Sequence, residues 1–258
     1  MKKQNQDVRD LIYVHLNQAS QYVLSCGIEF REFMAAFSGF PNHLLLLKHQ
    51  FEDGEFNRHT RFEYVMKEKI GKLSKEDVNG YGDFCWIDFA EEAVLNELSG
   101  QEIAELLYLG HAMQHLKLPF YNQLGNRFVY LSHDDGWSNK TYYRSMMDFF
   151  SMLSYVIPLK MGDLKFEKTL FGIKKKRLYP SLNKDLLLSL VPFMKEGICI
   201  SVKDADSQKG RIEIPIWMVG DFANMDDMYE AYTRTVRKQC HAKLVFDKKL
   251  KDWKLFVI

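Results

Sequence analysis

Residues 126–144 read NRFVYLSHDDGWSNKTYYR and gather His133, Asp134, Asp135 and Trp137 around one turn. Imidazole and carboxylate are the ligand types that suit zinc, manganese or iron. Further nitrogen ligands are offered by residues 110–116, GHAMQHL, where His111 and His115 stand one turn apart if a helix continues through them. His111, His115, His133, Asp134 and Asp135 are therefore the candidate set for a divalent transition metal. An open position on such an ion would activate water for hydrolysis.

The same residues carry a plainer reading. Phe128 to Leu131 has strand character, Asp135-Gly136 is a strong turn pair, and Thr141 to Tyr143 reads as the returning strand. Asp134, Ser138 and Asn139 are side chains that tolerate turn geometry. Gly110 is a natural helix stop, and His111 continues the column of Ile103 and Leu107, where a boundary histidine needs no ligand. His-x-x-x-His without an intervening Glu is not a metalloprotease motif.

Two other features bear on function. Lys165, Lys168 and the run 174–177, KKKR, are interleaved with Phe166, Phe171 and Tyr179, a pattern that could hold phosphates and stack on bases. Lysines guarding a linker or an edge strand explain the same residues. Trp86, Trp137, Trp217 and Trp253 each fall in or beside a strand-like stretch. Trp217 lies on the face opposite Ile212, Ile214 and Ile216, so it anchors an interface if that face is open and joins the core if it is covered. Trp137, Tyr142, Tyr143, Arg144 and Trp217 are the candidate binding residues.

The elements that must position these groups alternate between strand and helix. Leu11 to Val14 reads as a strand, residues 20–37 as a helix ended by Gly39 and Pro41, and residues 43–48, HLLLLK, as a buried strand. Thr60-x-x-Glu63 and Ser99-x-x-Glu102 are capping-box patterns that each predict a helix start. Between them, residues 83–89, DFCWIDF, are strand-like. Further on, Lys184 to Met194 has helical spacing, and Ile198 to Val202 and Ile212 to Met218 alternate as a hairpin. Pro215 lacks a donor and marks that second strand as an edge or a bulge. Asn224-x-x-Asp227 opens another helix, and 243–246 and 253–258 form a second hairpin. This order predicts an α+β fold of mixed helices and antiparallel hairpins, with a C-terminal helix, hairpin, helix, hairpin part. Residues 160–184 hold eight Lys or Arg against two acids. They set the expected boundary: an N-terminal subdomain 1–160 and a C-terminal one 183–258, joined through 161–182 or merged into one compact domain.

Composition narrows the classes. With 258 residues, 47% hydrophobic and 27% charged, the chain buries a sizeable core. A net charge of +1 gives no global field for DNA or anionic lipid. Cys26, Cys85, Cys199 and Cys240 form no C-x-x-C pair, and without a signal peptide they read as reduced thiols in a cytoplasm. Residues 11–28 lack formal charge but include Asn17, Gln18, Ser20, Gln21 and Ser25, too polar for a bilayer span, and Phe149 to Leu159 is too short and contains Pro158. The chain has no Walker A loop, no G-x-G-x-x-G, no G-x-S-x-G and no H-E-x-x-H.

Taken together, residues 81–89, YGDFCWIDF, 101–111, QEIAELLYLGH, 125–144 and 211–229, RIEIPIWMVGDFANMDDMY, resemble an uncharacterised family of soluble bacterial proteins. Some members carry the label oxalate:formate antiporter. That label implies a polytopic membrane protein, which no span of this chain suits, so the resemblance implies neither transport nor a role for any residue.

The sequence thus predicts a cytoplasmic α+β protein acting as a non-catalytic binding or regulatory module, with an immunity- or antitoxin-like role as one concrete form. A protein partner is expected, rather than nucleic acid or a membrane, and no cofactor is required. A metal-dependent hydrolase using the His/Asp cluster is the alternative, and nucleic-acid binding through 165–177 the third reading.

Overall fold

The computed structural model describes residues 9–37, 39, 41–76, 78, 81–163, 178–208, 210–222 and 224–258. Its strands are β1 Leu11–Asn17, β2 Tyr22–Cys26, β3 His43–Leu46, β4 Glu55–Phe56, β5 Glu63–Met66, β6 Phe84–Phe89, β7 Phe128–His133, β8 Ser138–Tyr143, β9 Ile198–Ser201, β10 Asp206–Gln208, β11 Arg211–Met218, β12 Ala242–Asp247 and β13 Asp252–Val257. The helices are α1 Phe30–Ala36, α2 Lys67–Leu73, α3 Gly100–Ala112, α4 Met146–Asp163, α5 Lys184–Ser189, α6 Val191–Lys195 and α7 Met225–Thr235. Helices stand with antiparallel strand pairs, so the class is α+β. No helix of the described residues is long and apolar enough to cross a membrane. The basic run on which the third reading, nucleic-acid binding, rests, 165–177, lies outside the described residues.

The chain divides into two compact units, one from the described residues of Met1–Leu16, Ser25–Ile28 and Phe150–Ile258, the other from Asn17–Leu24 and Glu29–Phe149. Phe149 and Phe150 fall in different units. The first strand joins the C-terminal unit through a long-range pairing: β1 runs antiparallel to β9, with Leu11 opposite Ser201 and Val14 opposite Ile198. Ladder hydrogen bonds therefore tie the first strand to the C-terminal unit, a link that local pattern does not carry.

In the C-terminal unit the strand order is β13-β12-β11-β9-β1, with β10 also paired to β11. β11 is not an edge, contrary to the expectation from Pro215. On one side it pairs with β12; on the other it meets β10 as far as Glu213 and β9 from Ile216. Pro215 falls in the gap between those two partners, where a missing N–H costs no ladder bond. Tyr13, Cys199 and Trp217 form one row across β1, β9 and β11. Helix α7, capped by Asn224 accepting from the Asp227 N–H, covers that row. Its Met228 sulfur lies 3.5 Å from the Cys199 thiol, and the Tyr232 ring meets Trp217 edge-on at 5.6 Å. Met228 and Tyr232 are one helical turn apart, which is why both reach the same face. Ile12, Val14, Ile200, Ile214 and Ile216 are fully buried on the opposite face.

The other unit orders its strands β8-β7-β6-β3-β5-β4. Strict alternation sends β6 side chains to two faces. On one, Phe84, Trp86, Phe128 and Tyr130 pack against Phe30, Phe33 and Phe37 from α1 and its C-cap; Phe30 meets Trp86 at 4.5 Å and Phe37 meets Phe128 at 4.9 Å. On the other, Cys85, Ile87, Val129 and Leu131 pack against Leu106 and Leu109 of α3. The Ser99 and Glu102 capping box forms as expected, with Ser99 Oγ accepting from the Glu102 N–H and Glu102 accepting from the Ser99 N–H.

Two expectations here are corrected. Residues 20–37 are not one helix: Tyr22–Cys26 is a strand, Gly27 takes φ 74°, and only Phe30–Ala36 is helical. The β-branched and aromatic start of that stretch joins a sheet, and Glu29 with Glu32 forms the capping box that opens α1. Thr60 does not cap a helix either; its hydroxyl donates to Asn57 in a turn and Glu63 begins β5.

Candidate functional site

β7 and β8 form the hairpin expected from residues 128–143, in register from Phe128 opposite Tyr143 to His133 opposite Ser138. Its turn holds Asp134 at φ 53°, Asp135 at φ 55° and Gly136 at φ 88°. Left-handed backbone is tolerated by Asp and free for Gly, so these residue types follow from the turn itself. The Ser138 hydroxyl donates to Asp134 at 2.8 Å and fixes that carboxylate within the loop.

The period-2 pleat places His133, Ser138, Lys140 and Tyr142 on one face, the face that α3 covers further along the strands. Toward the turn that face carries a polar cluster, in which His133 and Lys140 are half-buried and Ser138 is buried. Lys140 Nζ lies 4.4 Å from the centre of the Tyr22 ring and 5.3 Å from that of Tyr142. Tyr22 and Tyr142 meet edge-on at 5.6 Å, and the Asn17 amide donates to the Tyr22 hydroxyl at 3.3 Å. The His115 ring packs edge-on against Tyr142 at 4.9 Å, with its Nδ1 buried and without a hydrogen-bond partner among the described residues. His133 Nδ1 stands 3.8 Å from the Asp83 carboxylate, beyond hydrogen-bonding distance.

Electrostatics sets this cluster apart. Burial holds the Lys140 ammonium below the usual lysine range. No carboxylate among the described residues pairs with it; its contacts are the two tyrosine rings. Burial likewise pushes the His133 imidazole down, assisted by the Lys140 charge and opposed by Asp83 and Asp134. The Tyr142 phenol is pushed up by burial, then by neighbouring Tyr22. The result is a half-buried cation above aromatic rings, with two imidazoles nearby and no paired carboxylate among the described residues.

The structure rearranges the expected site. His111 and His115 do not share a helix face, because α3 ends at Ala112 and Met113 adopts a left-handed C-cap at φ 52°. His111 is exposed on the last turn, whereas His115 lies beyond it against Tyr142. Gly110 does not stop the helix; a Cβ there would lie 2.8 Å from the Leu47 Cβ, so glycine permits close approach of α3 to the end of β3. Among the described residues no three His, Cys, Asp or Glu side chains gather as a group that could hold a metal ion.

The expected binding residues divide similarly. Tyr142 and Tyr143 are each 1% exposed, and Tyr143 faces the aromatic core, meeting Phe149 at 5.7 Å. Trp217 is core beneath α7, its indole N–H directed to the Lys238 carbonyl at 3.4 Å. Trp137 is half-buried at the hairpin turn. Arg144 is exposed, with Nε donating to the Asn126 carbonyl at 2.7 Å and its guanidinium over Phe120. The sequence reading overlooked Lys140, Tyr22 and Asp83. Lys140 was legible as the one cation of the hairpin strands, on the same alternate positions as His133.

Comparison with protein-family models, curated proteins and solved structures gives no match for this chain.

Proposed function

We propose that the protein is a non-catalytic binding module and that the half-buried polar cluster around Lys140 on the β7–β8 hairpin receives a carboxylate presented by a protein partner. The observation that carries this reading is Lys140: a half-buried ammonium flanked by Tyr22 and Tyr142 and paired with no carboxylate among the described residues. Desolvating a cation without a counterion is costly, and an incoming anion recovers that cost by completing the pair. The surrounding imidazoles of His115 and His133 add ring nitrogens that can hydrogen-bond an incoming carboxylate. Trp137 at the turn and Arg144 at the far end of the hairpin extend the surface beyond the cation, in keeping with the aromatic and arginine enrichment of interface hot spots.

The test is affinity capture from the native cell extract at two salt concentrations, using the whole protein and its Lys140→Arg and Lys140→Glu variants. A stoichiometric partner held by the unaltered protein and by Lys140→Arg, but released by Lys140→Glu, is the expected result. A partner held equally by Lys140→Glu, or none at all, overturns the reading.

A further inference from the structure

The C-terminal unit carries a second feature, built from residues other than those around Lys140. A surface cavity of about 290 Å³ opens between the segment Leu178–Pro180 and the β12–β13 turn, lined by Leu178, Tyr179, Pro180, Phe246, Lys248 and Lys251. Its aromatic wall is a chain of ring contacts. Tyr179 meets Phe246 edge-on at 5.2 Å, Phe246 meets Trp253 at 5.1 Å, and the Trp253 indole N–H donates to the Pro180 carbonyl at 2.8 Å. That last bond fixes the backbone that carries Tyr179.

The two lysines have no acidic partner among the described residues. Lys248 Nζ donates only to the Ser207 hydroxyl and the Gln208 carbonyl, at 3.0 and 3.1 Å. Lys251 sits at φ 55° in the turn and is paired with no carboxylate among the described residues. Asp247, next to Lys248, is already committed through its Oδ1, which accepts the backbone N–H groups of Lys249 and Leu250 at 2.8 and 2.9 Å, and Asp252, next to Lys251, stands opposite Asp247 across the β12–β13 turn. The cavity therefore combines an apolar, aromatic wall with two lysine side chains that pair with no carboxylate among the described residues. Its volume falls at the low end of the roughly 300–1,000 Å³ typical of small-molecule sites, enough for one ring and one acidic group.

We propose that this cavity binds a small aromatic anion, a single ring bearing a carboxylate or a phosphate, with the ring against Tyr179 and Phe246 and the acid between Lys248 and Lys251. Edge-to-face packing holds the ring and the paired ammonium groups select the charge. This site is independent of the carboxylate site at Lys140.

The experiment titrates the whole protein with benzoate, phenyl phosphate and benzyl alcohol, followed by ligand-observed NMR. Saturable binding of either anion, at least tenfold weaker for benzyl alcohol and for the Lys251→Glu variant, and unchanged by Lys140→Met, is the expected result. A preference between the two anions identifies the acid. Tyr179→Ala is a second variant expected to weaken binding to a similar degree, and Lys251→Glu, in an exposed turn, keeps the test decisive if that change impairs folding. No saturable binding, equal binding of benzyl alcohol, or loss through Lys140→Met with Lys251→Glu unaffected, overturns the proposal.

Discussion

Lys140 Nζ stands 4.4 Å above the Tyr22 ring, and this contact replaces the carboxylate that a half-buried ammonium ordinarily has. A cation over an aromatic ring contributes about 0.5–2 kcal/mol, which only offsets the cost of removing the charge from water. The two effects nearly cancel in the free protein. Lys140→Met keeps the apolar stem and removes both, so unfolding in urea is expected to shift by less than about 1 kcal/mol. A loss of several kcal/mol would show that Lys140 is structural and not held ready for a ligand.

Asp88 offers a pH signature. Its carboxyl is 4% exposed, and burial pushes it up to about 6 from an ordinary 3.8, against the N–H groups of Phe128 and Arg127 that donate to it. The folded state thus binds this proton more tightly than the unfolded chain. The contribution to stability is full below pH 3.8 and lost as pH rises through about 6. The difference corresponds to about 3 kcal/mol. Both N–H groups reach the same oxygen, Oδ1, at 2.9 and 2.8 Å, which an asparagine carbonyl reproduces. Asp88→Asn is expected to gain on the unaltered protein by about that amount between pH 4 and pH 7, measured by urea unfolding at several pH values. Parallel pH profiles for the two proteins would refute the assignment.

The tryptophans separate core from surface. Trp217 is 6% exposed beneath Tyr232. Trp217→Ala is expected to cost about 3–5 kcal/mol, lowering the melting temperature by many degrees. Trp137, half-buried at a turn, is expected to cost about 1 kcal/mol or less on the same change. Thermal unfolding of both variants decides; similar losses would place Trp137 in the core as well.

Gly110 is a position where two effects oppose. Alanine in a helix interior is favoured over glycine by about 1 kcal/mol. The added Cβ would sit 2.8 Å from the Leu47 Cβ and 3.2 Å from its carbonyl oxygen, which neither backbone nor a first side-chain carbon can easily yield. Overpacking of this kind costs about 1–3 kcal/mol, so the steric effect is expected to win and Gly110→Ala to destabilise. A stabilised variant, read by thermal unfolding, would mean that α3 shifts freely on β3.

Local chemistry was legible wherever it acts over a few residues. The Ser99 and Glu102 box, the Asn224 cap, the 128–143 hairpin and its Asp-Gly turn all form because caps and turns are closed by neighbours in sequence. The mixed α+β class followed from the same local periodicities. Residues 20–37 misled because helix and strand patterns overlap when aromatic and aliphatic residues crowd together, and the sheet claimed Tyr22–Cys26.

Tertiary structure alone decided which groups meet. The β1–β9 ladder assigns the first strand to the C-terminal unit, α7 turns Trp217 into core, and the Met113 C-cap separates His111 from His115. Tyr22 and Lys140, far apart in sequence, stand ring to ammonium. Each is a long-range contact, fixed by which apolar faces bury against one another, and neither propensity nor spacing encodes that choice.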